Sequence, residues 1–422
     1  MSTEVEGYKE VQLGPKRVKI PDIWDYSDLG SQCEIYQPET ITEKNMIEDG
    51  RYKVFGANGI IGSYSQYNHK TPQVLVTCRG ATCGTVNFSE EKSWITGNAM
   101  VVKPNKCPRI SKYFLRYYLE KSNLSRTITG SAQPQITKNS LSVFQVLLPP
   151  KVEQKKIAEV LSTVDSAIQK TEEIIEQAKE LKKGLMQDLL TKGIGHDEFK
   201  DVQLGPKQLE IPQNWKIQRI KQIGEIVTGT TPSTDEKKNF GRAYPFVTPE
   251  DMGDIKNIES ANRGLSHRGI ERARKLPKNA VMYACIGATI GKIALAGTTL
   301  ATNQQINSIV CSDSYNPNYV YYSLQLVTPL IKSQAGNTAT PIVNKGEFSK
   351  FSILVPPLSE QKKIAKILSA VDEKIQKEKD YKEKLEELKK GLMQDLLTGK
   401  VRVLSLLSDE EKEELKEADV TG

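Results

Sequence analysis

The sequence holds few of the residues that build metal centres or disulfide frameworks. Its 422 residues include six cysteines and three histidines. No two cysteines have the C-x-x-C spacing of a zinc site, which argues against a structural metal. His69, His196 and His267 share no catalytic spacing. We therefore expect reduced thiols and no metal bound by this chain.

Long apolar runs are also missing. No run approaches the roughly 18 residues that a membrane span requires. The first residues, MSTEVEGYKE, lack the apolar core of a signal peptide. Hydrophobic content of 38% and charged content of 26% are ordinary for a globular protein. We expect a cytoplasmic protein of two or more domains, because 422 residues exceed what one core usually serves.

The charge is unevenly spread. The net charge is +7, yet the tail from Gly399 has four basic and seven acidic residues. The remainder of the chain is therefore more basic than the total suggests. This balance permits a polyanionic partner such as DNA but does not demand one.

One segment occurs twice. The sequence PPKVEQKKIA at 149–158 returns as PPLSEQKKIA at 356–365, and LKKGLMQDLLT at 181–191 returns at 388–398. Both pairs lie 207 residues apart, although the residues between them have diverged. A segment that keeps its length while its composition changes is typical of a spacer.

The duplication extends beyond this segment. VQLGPK at 11–16 recurs at 202–207, and CRGATCGTV at 78–86 corresponds to CIGATIGKI at 285–293. The change in offset places about 16 extra residues near 228–254 of the second copy. We interpret this as one plan used twice, a globular domain followed by a long helix. Two copies are too few for a solenoid, which needs at least three.

The expected fold class is α+β. Short β-prone runs bounded by Gly, Pro or Asn predict strands at 74–77, 99–102, 144–148, 281–284, 306–310 and 351–355. Shorter helices are predicted at 111–120 and 317–326. The predicted segments are a first globular domain (1–148), a first long helix (149–193), a second globular domain (194–355), a second long helix (356–399) and an acidic tail (400–422).

The two long helices carry an apolar seam. Prolines before the first turn and a glutamate inside it are typical helix starts, and Gly193 and Gly399 suit the C-caps. About 40 residues at 1.5 Å each give a rod of roughly 60 Å. The heptad falters at Thr171, Glu378 and Lys382 and resumes in shifted register. The predicted helix–helix and partner-docking residues are Ile157, Leu161, Val164, Ile168, Leu181, Leu185, Leu189, Ile364, Leu368, Val371, Ile375, Leu388, Leu392 and Leu396.

A helix with one apolar stripe needs a partner, and its own duplicate is the nearest candidate. We expect an intramolecular, antiparallel coiled coil that relates two pseudo-symmetric domains. The alternative is that each helix packs only on its own domain.

The P-P-x-x-E-Q-x-x-I-A motif after each domain resembles the specificity subunit of type I restriction–modification systems. The Gly229-Thr230-Thr231-Pro232-Ser233 run, Asn303-Gln304-Gln305 and the loops at 130–134 and 336–341 add to the resemblance. It implies two target recognition domains, each reading half of a bipartite, asymmetric DNA sequence. It also implies helices that set the spacing and dock two methylation subunits, which restriction subunits then join.

The same resemblance implies a non-catalytic chain that binds no cofactor. S-adenosylmethionine, ATP and magnesium would belong to the partner subunits.

Candidate DNA-binding residues lie in polar loops, where Arg, Asn and Gln can read base edges. Each could instead be a turn or solvated residue. The candidates are Asn58, Tyr64, Arg79, Gln133, Gln135, Thr230, Thr231, Arg242, Tyr244, Lys292, Gln304, Asn337 and Thr338. The paired Gly-Ala-Thr-x-Gly loops are better explained as tight turns, because both copies have them.

Catalytic motifs are weak. Asn316-Pro317-Asn318-Tyr319 resembles the N-P-P-Y of amino-methyltransferases but has Asn at the third position, so a turn opening a helix is the better interpretation. The run at 287–292 ends in Gly-Lys but is one residue short of a phosphate loop, with Ile293 where Ser or Thr is needed. A coiled-coil scaffold for proteins alone, or a free-standing methyltransferase or nuclease, are the alternative functions.

Overall fold

The chain divides into two compact units. The computed structural model describes residues 7–106, 108–130, 133–253, 255–335 and 341–420. One unit comprises Met1–Glu172 with Asp380–Gly422, and the other comprises Glu173–Lys379. Each unit therefore combines one globular domain with part of both long helices.

Short strands and a few helices make up the chain as far as the end of the first long helix. In chain order they are β1 (Tyr8–Leu13), β2 (Lys16–Pro21), β3 (Asp25–Asp28), α1 (Leu29–Gln32), β4 (Cys33–Tyr36), β5 (Tyr52–Gly56), β6 (Gly59–Tyr64), β7 (Val74–Thr77), β8 (Val86–Phe88), β9 (Trp94–Ile95), β10 (Ala99–Pro104), α2 (Lys112–Lys121), β11 (Ile128–Thr129), β12 (Gln135–Ile136), α3 (Lys138–Ser142), β13 (Gln145–Leu148) and α4 (Lys151–Leu189).

The second half repeats this order with additional strands. Its elements are β14 (Phe199–Leu204), β15 (Lys207–Pro212), β16 (Lys216–Arg219), α5 (Ile220–Ile223), β17 (Gly224–Thr228), β18 (Phe240–Val247), β19 (Asn257–Ile258), β20 (Arg263–Leu265), α6 (His267–Arg272), β21 (Lys275–Leu276), β22 (Val281–Ala284), β23 (Ile293–Ala296), β24 (Leu300–Thr302), β25 (Ile306–Cys311), α7 (Pro317–Gln334), α8 (Lys345–Phe348), β26 (Ser352–Val355), α9 (Leu358–Leu396) and α10 (Asp409–Val420).

The first domain is built on an antiparallel sheet in the order β4-β10-β7-β8, with a smaller sheet β6-β5-β9. All four residues of β7 are buried, as expected for a strand covered on both faces. Trp24 and Phe114 lie in the same core and are fully buried. The predicted strands at 74–77 and 99–102 are confirmed.

The second domain uses the same arrangement on a larger scale. Its main sheet has the order β17-β25-β22-β23-β19, and a second sheet has the order β20-β18-β24-β21. β18, β19 and β20 follow or lie within the region where the sequence places the extra residues of this copy. Trp215 is fully buried in the core, in the position that Trp24 takes in the first domain.

Both long helices begin directly after a Pro-Pro pair and contain 39 residues each. At 1.5 Å per residue each is roughly 58 Å long. They are a few residues shorter at both ends than the predicted 149–193 and 356–399. Gly193 and Gly399 follow the helix ends in the left-handed region, with φ of 70° and 73°.

In each unit the two helices run antiparallel. In the first unit Lys389 pairs with Asp165 at 2.9 Å and Lys382 pairs with Glu172 at 2.7 Å. The partner on α9 therefore lies seven residues earlier when the residue on α4 lies seven residues later, which shows the antiparallel orientation. In the second unit the late residues Leu185 and Leu189 of α4 pack in one cluster with early residues of α9, among them Ile364 and Leu368. The predicted fold class, two α+β domains joined by paired antiparallel helices, is confirmed.

Each helix also packs on its own domain, as the alternative prediction had it, because the first residues of each long helix are buried in the core of the domain that precedes it. In the first unit Ile157 and Leu161 of α4 lie in the core that also holds Leu396 and Leu397 of α9. Each helix therefore begins in one core and ends in the other.

The seam does not shift register where the sequence suggested. Thr171, Ile175 and Ala178 are buried and continue the 4-3-4 spacing of Ile157 to Ile168. The Thr171 hydroxyl donates to the Ala167 carbonyl at 2.8 Å, so a polar residue fits the seam. Leu181 and Leu388, by contrast, are 57% and 51% exposed and lie outside it.

The acidic tail forms a capped helix. Ser408 accepts a hydrogen bond from the Glu411 backbone N–H, and the Glu411 carboxylate accepts one from the Ser408 N–H. Glu411 also lies 3.8 Å from Lys155 and 3.7 Å from Lys156, near the start of α4. Among the described residues, no helix is both long enough and apolar enough to cross a membrane.

Candidate nucleic-acid interface

Three loops of the first domain bring polar side chains together. The Thr82 hydroxyl donates to Asn58 Oδ1 at 2.5 Å, joining the β5–β6 turn to the loop after β7. Arg79 forms an isolated β-bridge with Gln135, and the Gly80 N–H donates to the Pro134 carbonyl at 3.2 Å. We call Asn58, Arg79, Thr82, Gln133 and Gln135 the first polar edge. All five are exposed to solvent.

Tyr64 does not belong to this edge. It lies at the far end of β6 and packs edge-on against Trp94, with ring centroids 5.2 Å apart. Its half-buried ring is part of the packing of the smaller sheet. A role for Tyr64 in DNA binding stays a prediction.

The second domain also gathers polar side chains, but in other loops and with different chemistry. The Thr231 hydroxyl donates to Gln304 Oε1 at 2.8 Å, and the Thr230 N–H donates to the Thr302 carbonyl at 2.9 Å. We call Thr230, Thr231, Gln304 and Gln305 the second polar edge. A Cβ on Gly229 would lie 2.1 Å from the Asn303 carbonyl oxygen, so this close approach of two loops requires glycine.

The Gly-Ala-Thr loops are tight turns in both domains, as predicted. Gly80 and Gly287 have φ of 87° and 63°, and each N–H donates to the carbonyl of a proline in a second loop, Pro134 or Pro341. The Cys285 N–H donates to the Gln305 carbonyl at 2.8 Å. These turns therefore support the polar edges. Asn337 and Thr338 lie outside the described residues.

Arg242, Tyr244 and Lys292 lie apart from the second polar edge. Arg242 is exposed on β18, whose pairing with β20 is irregular between Phe240 and Tyr244. Tyr244 packs edge-on against His267 with centroids 5.4 Å apart. Lys292 donates to the Pro249 carbonyl at 3.0 Å. The structure thus groups only part of the predicted set.

The sequence did not reveal what the repeated Glu-Gln pair does. Gln154 accepts the Ser111 N–H at 2.7 Å and donates to the Arg109 and Pro149 carbonyls, each at 2.8 Å. It joins the start of α4 to the segment that opens α2. Gln361 does the same at the start of α9, accepting the Asn316 N–H at 2.9 Å.

The glutamate of each pair binds an indole and a group that follows a long helix. Glu153 accepts from Trp24 Nε1 at 3.3 Å and from Arg402 Nε at 3.1 Å. Glu360 accepts from Trp215 Nε1 at 3.1 Å and contacts His196 Nε2 at 2.8 Å. The Glu153 and Arg402 side chains are 0% and 7% exposed, so this is a buried ion pair.

A third duplicated contact joins each domain to both helices. Tyr117 donates to Asp165 at 2.7 Å, and Asp165 pairs with Lys389. Tyr322 donates to Asp372 at 2.5 Å, and Asp372 pairs with Lys182 at 2.7 Å. Burial, together with the bond to its aspartate, raises the pKa of each tyrosine. Each of these groups is thus bonded within its own unit.

A family model described as the type I restriction modification DNA specificity domain matches the chain twice, over residues 21–180 and 212–387. The chain belongs to this family. It is a specificity subunit of a type I restriction–modification system with two recognition domains.

Known relatives of this specificity subunit cover most of its length. The MjaX specificity subunit of Methanocaldococcus jannaschii, whose name is provisional, is 30% identical over 72% of each chain. The MjaVIII specificity subunit of the same organism is 25% identical over 95% of this chain and 97% of its own. A crystal structure of a type I S subunit from M. genitalium has the same fold, with a TM-score of 0.65 and 14% identity over 88% of this chain and 96% of its own.

The catalytic motifs that the sequence suggested have structural roles in this specificity subunit. Asn316 caps α7, its side chain accepting the Tyr319 N–H at 3.1 Å, and Tyr319 is buried. The run at 287–292 is the tight turn described above. The interpretation of 316–319 as a helix start is confirmed.

Each long helix of the specificity subunit also has an exposed apolar stretch. On α4 it comprises Ile174 (38% exposed), Leu181 and Gly184, and on α9 it comprises Tyr381 (52% exposed), Leu388 and Gly391. A Cβ on either glycine would meet nothing within 4 Å. We call these two sets the helix patches. Their members occupy equivalent positions in the repeat.

Proposed function

We propose that each polar edge reads one half of a bipartite DNA sequence and that this chain performs no catalysis itself. The observation that carries the proposal is that each domain of a duplicated fold gathers polar side chains beside its Gly-Ala-Thr turn, and that the two sets differ in chemistry. The first edge offers Arg79, Gln133 and Gln135, and the second offers Thr230, Thr231 and Gln304. Unlike donors and acceptors read unlike bases. The target is therefore asymmetric rather than palindromic.

In this proposal the paired helices set the number of base pairs between the half-sites. Helix length is fixed at 1.5 Å per residue. Their burial in both domain cores prevents either helix from sliding without unpacking a core. An insertion of whole heptads into both helices is therefore expected to lengthen the unread spacer while both half-sites stay the same.

The helix patches support docking of two methylation subunits, which restriction subunits then join. Apolar side chains that stay exposed on otherwise charged helices mark a protein interface. The glycine in each patch leaves room for close approach of a partner's backbone. Because the patches are equivalent, they suit two copies of one partner. S-adenosylmethionine, ATP and magnesium are then bound by the partner subunits and none by this chain.

DNA reading is tested by mapping methylated adenines in a methylation-free host that expresses the chain with its methylation subunits. The expected result is one bipartite, asymmetric motif. Gln304→Leu should change or relax bases in one half only, and Arg79→Leu bases in the other half. Lys221→Gln, at an exposed position outside both edges, serves as the control. A palindromic motif, or one substitution altering both halves, would contradict the proposal.

Docking is tested by native mass spectrometry of the assembled complex. Leu181→Asp and Leu388→Asp should each remove one methylation subunit, and the double variant should remove both. Lys183→Asp and Lys390→Asp introduce a larger charge change at exposed positions of the same helices and should retain both. If the double leucine variant still binds both methylation subunits, the assignment of the helix patches as docking sites is wrong.

A further inference from the structure

A cleft with many lysines lies in the second unit, between the domain and its two helix segments. Its volume is about 690 Å³, within the range of ligand-binding clefts. Lys256 and Lys292 line it from the domain, Lys179 and Lys182 from α4, and Lys379 from α9. We call these five residues the lysine cleft. Asp372 and Glu373 are the acidic residues of the described lining, so the cleft is positive on balance.

Lys256 is the most unusual member. Its ammonium donates to the Tyr322 hydroxyl at 2.9 Å and to Ser369 Oγ at 2.8 Å. It also lies 4.6 Å from the Tyr322 ring centroid and 5.3 Å from that of Tyr321. An ammonium has three N–H donors, so these two bonds leave one for a ligand. Burial lowers the pKa of Lys256 to about 8, against the opposing effect of Asp372.

The first unit has a different arrangement at the corresponding place. There Asp165 is bonded to two cations, the Arg116 guanidinium at 3.0 Å and the Lys389 ammonium at 2.9 Å. Lys256 instead binds hydroxyl groups, while Lys182 takes the contact to Asp372. A positive charge held by hydroxyls keeps more of its attraction for an outside anion than one paired directly with a carboxylate.

One tight turn separates the cleft from the second polar edge, and the Cys285 N–H just before this turn donates to the Gln305 carbonyl. Lys292 ends the turn whose first residue, Gly287, is bonded to Pro341. Gly291 beside Lys292 has φ of 88°, and a Cβ there would lie 2.5 Å from Thr328. Glycine therefore fixes the course of the chain that presents Lys292. A duplex held at the polar edge would bring its backbone toward these lysines.

We propose that the lysine cleft binds phosphate groups of the DNA strand beside the half-site that the second domain reads. This inference rests on the proposed function. Ammonium groups are point charges without a fixed fork, so phosphate oxygens suit them well. The cleft thus adds affinity and position, and the polar edge adds sequence preference.

The test measures affinity of the complete methylation complex for its own duplex target between about 50 and 200 mM salt. Each phosphate contact contributes a slope of about −0.9 in log K against log salt. Lys292→Gln and Lys256→Gln should each make that slope less steep by about 0.9, so the salt-induced loss shrinks about threefold. Lys221→Gln should keep the wild-type slope. Mapped methylation motifs should be unchanged in all three variants.

The two hypotheses fail in different ways. If the unmodified complex shows no preference for one sequence, the proposed function fails. If it does, but both cleft variants keep the full slope while melting like the parent, the cleft proposal alone is overturned. Pyrophosphate and ATP are titrated into the chain by calorimetry as a second arm. Tight binding of either with an unchanged DNA slope would assign the cleft to a free phosphate ligand instead and would also overturn the proposal.

Discussion

Replacing Arg402 by methionine should destabilise the first unit more than any surface change. Arg402 and Glu153 are almost completely buried and bonded to each other, and Glu153 also holds the Trp24 indole. Without Arg402 the carboxylate is left buried and without its countercharge. Breaking a buried ion pair in this way costs about 3–5 kcal/mol.

Differential scanning calorimetry measures the effect. A loss of 1 kcal/mol lowers the melting temperature of a domain of roughly 150–250 residues by about 2–4 °C, so Arg402→Met should melt roughly 10 °C lower. His196→Met is the matched change at Glu360 in the second unit. Its effect should be smaller, because the His196 and Glu360 side chains are 19% and 11% exposed.

The double variant decides between loss of the pair and loss of packing. Glu153→Gln combined with Arg402→Met removes both charges but keeps an acceptor for Trp24, so most of the lost stability should return. If the double variant is no more stable than Arg402→Met alone, or if Arg402→Met melts like the parent, the reasoning about this pair is wrong.

Further expectations concern glycine, the seam and pH. Gly193→Ala should lower the melting temperature more than Gly195→Ala, because both have positive φ but a Cβ at 193 meets Trp215 at 2.8 Å while one at 195 meets nothing; equal losses would contradict this. Thr171→Glu should destabilise the helix pair strongly, whereas Leu181→Glu should change the unfolding free energy by less than about 0.5 kcal/mol; chemical denaturation of both variants checks the order. Burial disfavours the charged form of Lys256 in the folded state, where its pKa is about 8. The free energy of unfolding of the parent relative to Lys256→Met should therefore rise as the pH increases from 8 toward 10. A difference that does not change with pH would contradict the lowered pKa.

Local patterns were enough to predict much of the fold. The run at 74–77, Val-Leu-Val-Thr, is mostly apolar and mostly β-branched and forms a fully buried strand. Pro-Pro pairs stop the preceding strands and open the helices at Lys151 and Leu358. Such signals depend on near neighbours in the sequence, so no knowledge of the tertiary structure was needed.

The course of the seam could not be predicted from apolarity alone. Thr171 satisfies its hydroxyl within its own helix, and Lys182 pairs with Asp372, so both polar residues fit seam positions. Leu181 is apolar, as a seam residue would be, but its side chain is exposed to solvent. Long-range partners decide such cases. For the same reason the sequence did not show that Glu153 binds Trp24 and Arg402, which lie over 100 residues away on either side.

The candidate site was predicted in part. Asn58, Arg79, Gln133 and Gln135 were selected as separate polar loop residues, and the structure brings their loops together. Arg242, Tyr244 and Lys292 were selected by residue type, but their backbone positions separate them from Gln304. Contact of any of these side chains with DNA stays a prediction.

The order in which the two units can fold follows from how their residues are distributed along the sequence. The second unit is one uninterrupted stretch, Glu173–Lys379, whereas the first joins Met1–Glu172 to Asp380–Gly422. A ribosome therefore releases every residue of the second unit before the first can acquire Leu396, Leu397 and Val403 for its interior. The half that is synthesised earlier has to wait, with part of its apolar surface uncovered, until translation is nearly finished.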